Sequence, residues 1–557
     1  MTRSTAAMGL PNRRRALTAV CRAGVVVLAL VLLTGCDTYL PGPSYSEVKI
    51  PREKLRQIET LELAEVDPNK VPTPEPNEVP PAVLALSLEE CRALALQNNL
   101  QLKASLIEPT IAAERLSEEE AKFEASILAN ANFAKTDRPA NRFEDEITGS
   151  KSDYLGLDLG LRVPLRTGGT VTFDVADTRL ETDAIGSTFN PSYTPTASVS
   201  ISQPLLRDAG KWANTHSIRL AAYDYQITDA RTKLEVINVL AAIDRVYWRL
   251  YAARKELEVR AQQHELAQAQ LEQARRFVNA GERAQVEIIR AEAGVAQQLE
   301  AIIVAENNYR DRERELKRVI NKAGLDMQTP TILVPFTEPD PVRYELERSR
   351  LIATALEGRM ELLELQLQLL QDASSIDYAR NRALPLASLD YVYNINGLGG
   401  TRRDAYDLLI DSAFVDHRLG LQVVIPLGNK AAESRIRQAI YRRRQRLASR
   451  ADRQILIKQE VLTAADSVET NWQRILAARQ NTILQSRLYE AEKRQFELGA
   501  RTSTDVLDAQ INFANAQSAE IAALTEYQIS LVDLAYATGT ILGADRIQWD
   551  PIVPPAR

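Results

Sequence analysis

From Leu205 to Thr329, and again from Leu427 to Asp550, the chain contains no proline. Proline inside a helix costs about 3 kcal/mol, so these are the stretches where helices can run without interruption. In the first, Ile243, Leu250, Leu257, His264, Leu271 and Val278 recur every seventh residue, with Val246, Ala253, Arg260, Ala267 and Ala274 three positions after the first five. This is coiled-coil spacing, with Arg260 and His264 expected at its wet edge. A helix from Thr215 to Asn279 would extend about 95 Å at about 1.5 Å per residue. Each long stretch is broken once by a shared phrase: Gly281-Glu282-Arg283-Ala284-Gln285-Val286-Glu287, and Gly499-Ala500-Arg501-Thr502-Ser503-Thr504-Asp505. A glycine that ends one helix, followed by the start of another, predicts a helical hairpin tip. The first returning helix is expected from about Gln285 to Asn321.

Ahead of each long stretch the period changes from 3.6 to 2. Ile127, Ala129, Ala131 and Phe133 alternate with Leu128, Asn130 and Asn132; Leu155, Leu157, Leu159 and Leu161 alternate with Gly156, Asp158 and Gly160. Val171, Phe173 and Val175 follow the same rule, as do Val199 and Ile201 before Pro204, Leu389, Tyr391, Tyr393 and Ile395, and Leu419, Leu421, Val423 and Ile425. One face of these strands is apolar and the other polar or glycine. A membrane barrel with lipid outside and water inside produces that pattern, and so does a soluble sandwich.

The order helix, strand, strand, Pro-Leu, long helix, glycine tip, helix occurs twice. Ala355 stands 260 positions after Ala95, Pro426 222 after Pro204, and Gly499 218 after Gly281. The register therefore drops by 38 between the opening helix and the Pro-Leu pair, which predicts an insertion in the first repeat, at the Tyr154–Thr178 hairpin and its flanks. An insertion there is expected at the loop end of a hairpin, where extra length costs little. Two core strands per repeat give four per chain, too few to enclose a lumen. Open strand edges are forbidden in a membrane, so several copies would have to close the sheet, and three would supply twelve strands.

Arg13, Arg14 and Arg15 precede an apolar run, Ala23 to Leu33, which is short for a permanent span and reads as a signal peptide. Leu33-Thr34-Gly35-Cys36 resembles a bacterial lipobox, so acyl chains such as palmitate are expected on the Cys36 thiol, the only bound group anticipated. Asp37 resembles an inner-membrane retention signal, a cue that the barrel pattern outweighs. Loss of residues 1–35 removes five arginines and takes the formal charge from −6 to −11, unsuited to nucleic acid. Nine prolines between Asp37 and Pro81 predict an extended tether. Ser87 with Glu90 three residues on opens the first helix, which carries Cys91 on its core face. The domain order is then a signal peptide over 1–35, tether 36–85, first repeat 86–324, linker 325–345, second repeat 346–543 and tail 544–557.

These features together, with Ser202-Gln203-Pro204-Leu205 and the second tip motif from Phe496 to Ala509, resemble the TolC-like outer-membrane efflux channel family, also termed outer membrane factors, in its lipoprotein branch. The resemblance covers roughly Leu86 to Gly543. It implies a mainly α chain with a membrane β-barrel: a homotrimer with a twelve-stranded barrel and a long α-helical periplasmic tunnel. It also implies an exit channel of a tripartite efflux or type I secretion system, opened at its tip by a periplasmic adaptor that works with an inner-membrane pump. By resemblance Asp505 and Asp508 project into the tunnel as selectivity rings, and Arg501 and Glu287 belong to links that hold neighbouring helix pairs closed. Phe496 stands where the family has a tyrosine, and Val286 where a hydroxyl residue is common. Gly281, Glu282, Arg283, Gly499, Ala500 and Thr502 are the expected adaptor contacts.

His216, His264 and His417 have no ligand spacing, so no metal site is expected. No nucleophile elbow, phosphate loop or zinc helix occurs, so no catalytic residues are expected. Arg442, Arg443, Arg444 and Arg446 read as a solvated helix face. Four methionines offer little for a soft-metal relay, so metal export is less favoured than drugs or other small molecules, and protein export stays open. The competing function is a lipid-anchored periplasmic coiled-coil scaffold without a pore.

Overall fold

A computed structural model describes residues 82–139, 147 and 149–548, which belong to one compact unit. The signal peptide, Cys36 with its lipobox, nearly all of the tether and residues 549–557 lie outside the described residues. After strand β1 (Val83–Leu86) come helices α1 (Leu88–Asn98), α2 (Leu100–Ser105) and α3 (Glu108–Ala121), then strands β2 (Ser126–Asp137), β3 (Lys151–Pro164), β4 (Thr170–Thr182) and β5 (Ser192–Pro204). A short α4 (Lys211–Asn214) leads into α5 (His216–Asn279), and α6 (Val286–Ile320) returns to β6 (Ile332–Pro335). The second repeat holds α7 (Arg348–Gly358), α8 (Met360–Arg382), β7 (Leu386–Asn396), α9 (Arg402–Ile410), β8 (Val415–Val424), α10 (Lys430–Glu497), α11 (Ser503–Thr538) and α12 (Ile541–Ala544).

The proline-free stretches become the expected helices: α5 has 64 residues and α10 has 68, about 95–100 Å each. Along α5 the apolar seam holds at mid-length, where Ile243, Val246 and Leu250 are buried, and narrows to Ala253, Ala267 and Ala274 toward the tip. Alanine lets α6 and α11 approach closely. Each repeat has its own core. The first joins Cys91 and Ala95 of α1 to Leu240, Ile243, Tyr247 and Leu250 of α5 and to Leu316 and Ile320 of α6. The second joins Ala355 of α7 to Ile457, Val461 and Val468 of α10 and to Tyr527 of α11. Cys91 lies fully inside, and burial pushes its thiol up to about 12.

The duplication extends to single hydrogen bonds. Tyr309 of α6 and Tyr527 of α11 stand 218 positions apart, and each hydroxyl donates to a carbonyl of the segment between the repeats, Leu333 and Val342 respectively. That segment, read as a linker, is docked against both repeats. Its strand β6 pairs in parallel with β1, Val83 opposite Ile332 and Leu86 opposite Pro335.

The sheet corrects one expectation. Among the described residues it has six strands in the order β2-β3-β4-β5-β7-β8, all neighbours antiparallel, rather than four. The extra pair, β3 and β4, covers the span that the drop in repeat register marked. It is not an excursion at a loop end: β3 and β4 run the full height of the sheet, and their turn lies at the helical end. Alternation reports which face a residue takes, not how many neighbours a strand has, and so four and six strands read alike.

Register aligns the apolar positions into rows. One row runs Ile127, Leu161, Phe173, Val199, Tyr393 and His417; the next runs Ala129, Leu159, Val175, Ala197, Ile395 and Val415. The opposite face carries Asn130, Asp158, Asp174, Ser198, Ser200, Asn394 and Asp416. Ile127, Phe133, Leu159, Phe173, Leu419 and Leu421 are all exposed in the single chain. A water-soluble sheet would cover such a face with a second layer. Strands of 10–14 residues suit the hydrocarbon thickness instead. Among the described residues no helix is long and apolar enough to cross a membrane.

Candidate functional site

The far ends of the two helical hairpins are built from one design. At the end of α5, Gly281 adopts φ 77°, its N–H donates to the Val278 carbonyl at 2.9 Å, and the Glu282 N–H donates to the Phe277 carbonyl at 2.9 Å. At the end of α10, Gly499 adopts φ 84°, with Gly499 N–H to the Phe496 carbonyl at 3.0 Å and Ala500 N–H to the Gln495 carbonyl at 2.9 Å. Both are Schellman turns, in which glycine supplies the left-handed residue that closes the helix.

The tips diverge at the start of the returning helix. Thr502 and Asp505 form a capping box on α11: the Thr502 N–H donates to Asp505 Oδ2 at 2.9 Å, and the Asp505 N–H donates to the Thr502 hydroxyl at 3.4 Å. The position equivalent to Thr502 in the first tip is Ala284, which has no side-chain acceptor, and α6 starts without a side-chain cap. Glu287, the equivalent of Asp505, is thereby released from capping its own helix.

Glu287 instead crosses to the other hairpin. It is buried, its Oε2 accepts the Ser503 N–H at 2.9 Å, and its Oε1 accepts from Arg290 at 2.8 Å. Burial pushes this carboxyl up, but the Ser503 N–H and Arg290 outweigh burial and leave it below the usual glutamate value. Its charge lies at the N-terminus of α11, where the helix dipole favours an anion. Arg283 crosses in the same direction: its guanidinium donates to the Phe496 carbonyl at 3.0 Å and lies 5.2 Å from the Phe496 ring centre. Phe496 is almost fully buried, edge-on to Phe277 at 6.0 Å. Side chains of the first tip thus clasp the main chain of the second at two points.

The structure distributes the remaining sequence candidates as follows. Arg501, the equivalent of Arg283, does not meet Glu287 within the chain; its Nε lies 3.1 Å from Glu492 and 3.1 Å from Gln495, both on α10. Asp505 is half-buried and Asp508 exposed, one helical turn apart. Hydrogen bonds from the Thr502 backbone and hydroxyl hold the Asp505 carboxyl below its usual range. Gly281, Glu282, Gly499 and Ala500 are exposed at the extremities, with space around Gly281, while Arg283 and Thr502 are half-buried in the contacts just given. Val286 is exposed. Of the arginine cluster, Arg446 pairs with Asp372 of α8 at 2.6 Å.

Sequence reasoning passed over a line of glutamines behind the tips. Gln510 is fully buried and donates to the Gln263 carbonyl at 2.8 Å; Gln263, also buried, donates to Gln517 at 3.3 Å; Gln270 donates to the Ser503 carbonyl at 3.2 Å. These bonds join α5 to α11 across the two repeats. Their one signal was position: Gln263 and Gln270 are seven residues apart and flank the heptad seam. The apolar residues Ile289, Leu299, Ile303 and Val304 on α6, and Leu476, Ile483, Leu484 and Leu488 on α10, stay exposed in the single chain.

The chain is similar to several known proteins. The profile of the outer membrane efflux protein family matches residues 92–322 and 351–540. The outer membrane protein TolC of Vibrio cholerae is 23% identical over 317 residues, covering 55% of this chain and 69% of that protein. Among solved structures, the CmeC outer membrane channel of Campylobacter jejuni superposes with a TM-score of 0.60 at 17% identity, over 81% of this chain and 85% of that one. The open state of the MtrE outer membrane channel of Neisseria gonorrhoeae gives a TM-score of 0.58 at 16% identity, over 87% and 98%.

Proposed function

The chain belongs to the outer membrane efflux protein family, and from that premise we propose that it is the passive exit duct of a tripartite efflux system. The observation that carries this is the sheet, whose row Ala129, Leu159, Val175, Ala197, Ile395 and Val415 is apolar on all six strands while its polar face carries Asn130, Asp158 and Asp174. A scaffold has no use for such a wall; a barrel needs one side for lipid and one for water. The family's channels are trimers with a barrel and a helical tunnel, and the exposed apolar residues of α6 and α10 supply faces for neighbouring copies.

The duct lies in the outer membrane, with acyl chains on Cys36 as a second anchor. Gly281, Glu282, Gly499 and Ala500 meet a periplasmic adaptor carried by an inner-membrane pump, and the adaptor draws the tips outward. The clasp of Arg283 and Glu287 on the second tip resists that movement, and the carboxylates of Asp505 and Asp508 face the cargo path at the mouth. Purified full-length protein in a planar bilayer tests the reading: trimers with a small closed-state conductance that rises when the tip is loosened are expected. A non-conducting, lipid-free monomer would overturn it.

A further inference from the structure

We propose that the outer-membrane barrel of this protein has eighteen strands, six from each of three copies, and a lumen about half as wide again as that of a twelve-stranded barrel. The inference rests on the channel reading and goes beyond it.

Among the described residues strand β2 pairs only with β3, from Ser126 opposite Arg162 to Asp137 opposite Lys151. Strand β4 pairs with β5, from Leu180 opposite Ser192 to Thr170 opposite Ser202. With β3 and β4 taken out of the wall, β2 would have no neighbour in its own chain. Leu161 and Phe173, and Leu159 and Val175, continue the apolar rows at the same height as the strands on either side. A flap outside the wall would need no such match.

The turn between β3 and β4 is fastened where strands meet helices. The Gly210 N–H donates to the Thr167 carbonyl at 2.9 Å, and Thr167 and Gln203 exchange two further hydrogen bonds. Gly168 has φ 93°, and a Cβ there would stand 2.3 Å from the Asp208 carbonyl oxygen and 2.5 Å from Asn214 Nδ2. Arg166 extends toward the Phe123 ring, 5.9 Å away, beside the start of β2. The turn therefore bridges the helix–strand junction of β2 to that of β5, filling the space between them.

Among the described residues both edges of the sheet, β2 and β8, present unpaired backbone, which the bilayer does not tolerate. The occupant that fits is a second copy, the β2 edge of one beside the β8 edge of the next. Of the six strands of this sheet, four join the long helical body: α3 enters β2, β5 leads to α4 and α5, α8 enters β7, and β8 leads to α10. Three copies thus place eighteen strands above twelve helix–strand junctions. The membrane part widens without added helices, so the passage is narrowest below the barrel, and size selection falls to the tunnel and its tip.

Electron cryo-microscopy of the full chain in lipid nanodiscs, with native mass spectrometry to count copies, tests this. Three copies, eighteen strands and a barrel about 1.5 times the diameter expected for twelve would bear it out. Three copies with twelve strands and the β3–β4 pair outside the wall, or two copies closing twelve, would overturn it and leave a channel standing. Particles without a transbilayer barrel would overturn the channel reading as well.

Discussion

Glu287 and Ser503 are 216 positions apart in sequence and 2.9 Å apart across the two tips, a carboxylate oxygen on a helix N-terminal amide. Removing a buried acceptor leaves its donor unsatisfied at a cost of about 1–3 kcal/mol. Glu287→Ala is therefore expected to raise open probability in adaptor-free bilayer recordings roughly 5- to 100-fold, with Glu287→Gln giving less because one acceptor survives. The pH dependence follows from the lowered carboxyl. A group depressed on folding stabilises the clasp above its unfolded value, about 4.5, and loses that contribution as pH falls through the lower folded value. Closed-state conductance should stay flat from pH 8 to 5 and rise below that window. No change in Glu287→Ala would remove the clasp from the gate.

The two acidic residues of the second tip separate by role. Thr502 and Asp505 close a capping box, while Asp508 is exposed on the next turn. Thr502→Ala should cost about 1 kcal/mol of helix-start stability, read as a lower thermal midpoint with selectivity unaltered. Asp508→Asn should reduce cation preference, read from reversal potentials in a salt gradient, with the midpoint unmoved. The opposite pattern would exchange the two assignments.

Neighbouring residues of β3 face opposite solvents. Leu159→Arg puts a cation on the apolar row between Ala129 and Val175, which costs about 2–4 kcal/mol near the midplane of a bilayer, and should abolish heat-resistant trimers. Asp158→Arg on the polar face should leave trimers intact and shift selectivity toward anions. Equal tolerance of both would mean the sheet is not a membrane wall.

Arg92 serves two carboxylates, Asp244 at 2.7 Å and Asp545 at 2.8 Å. Burial and the charge of Asp244 outweigh Arg92 and raise Asp545 to about 6. A carboxyl raised on folding favours the fold while protonated, so the parent loses stability as pH climbs from about 4 to 6 and stays lower above that. Asp545→Asn should gain on the order of 2–3 kcal/mol at pH 8, with no gain at pH 4. A gain independent of pH would assign the effect to something other than ionisation.

Much of the fold was legible because it is periodic: proline-free heptads, strand alternation, the glycine tips and the second copy of each. The span of β3 and β4 was legible too, as a slip in repeat register. Their full membership of the wall was not, since pairing partners leave no mark on a period of two. The β1–β6 pair, four residues to a strand, is too short for periodicity to show. The clasp was half visible. Glu287 stood out as an acidic tip residue and Arg283 as an adaptor contact, but neither was read as crossing to the other hairpin of the same chain. Two equivalent arginines are indistinguishable until geometry says which one faces the other hairpin.

The exchange of Thr502 for Ala284 between the repeats reaches past one chain. In a ring of three copies, helix starts fastened to themselves alternate with helix starts that lend their anion to a neighbour. On the proposed function, the mouth would then have six fingers but three uncapped starts, and it would dilate as a three-bladed shutter, each blade a self-capped tip held by an uncapped one.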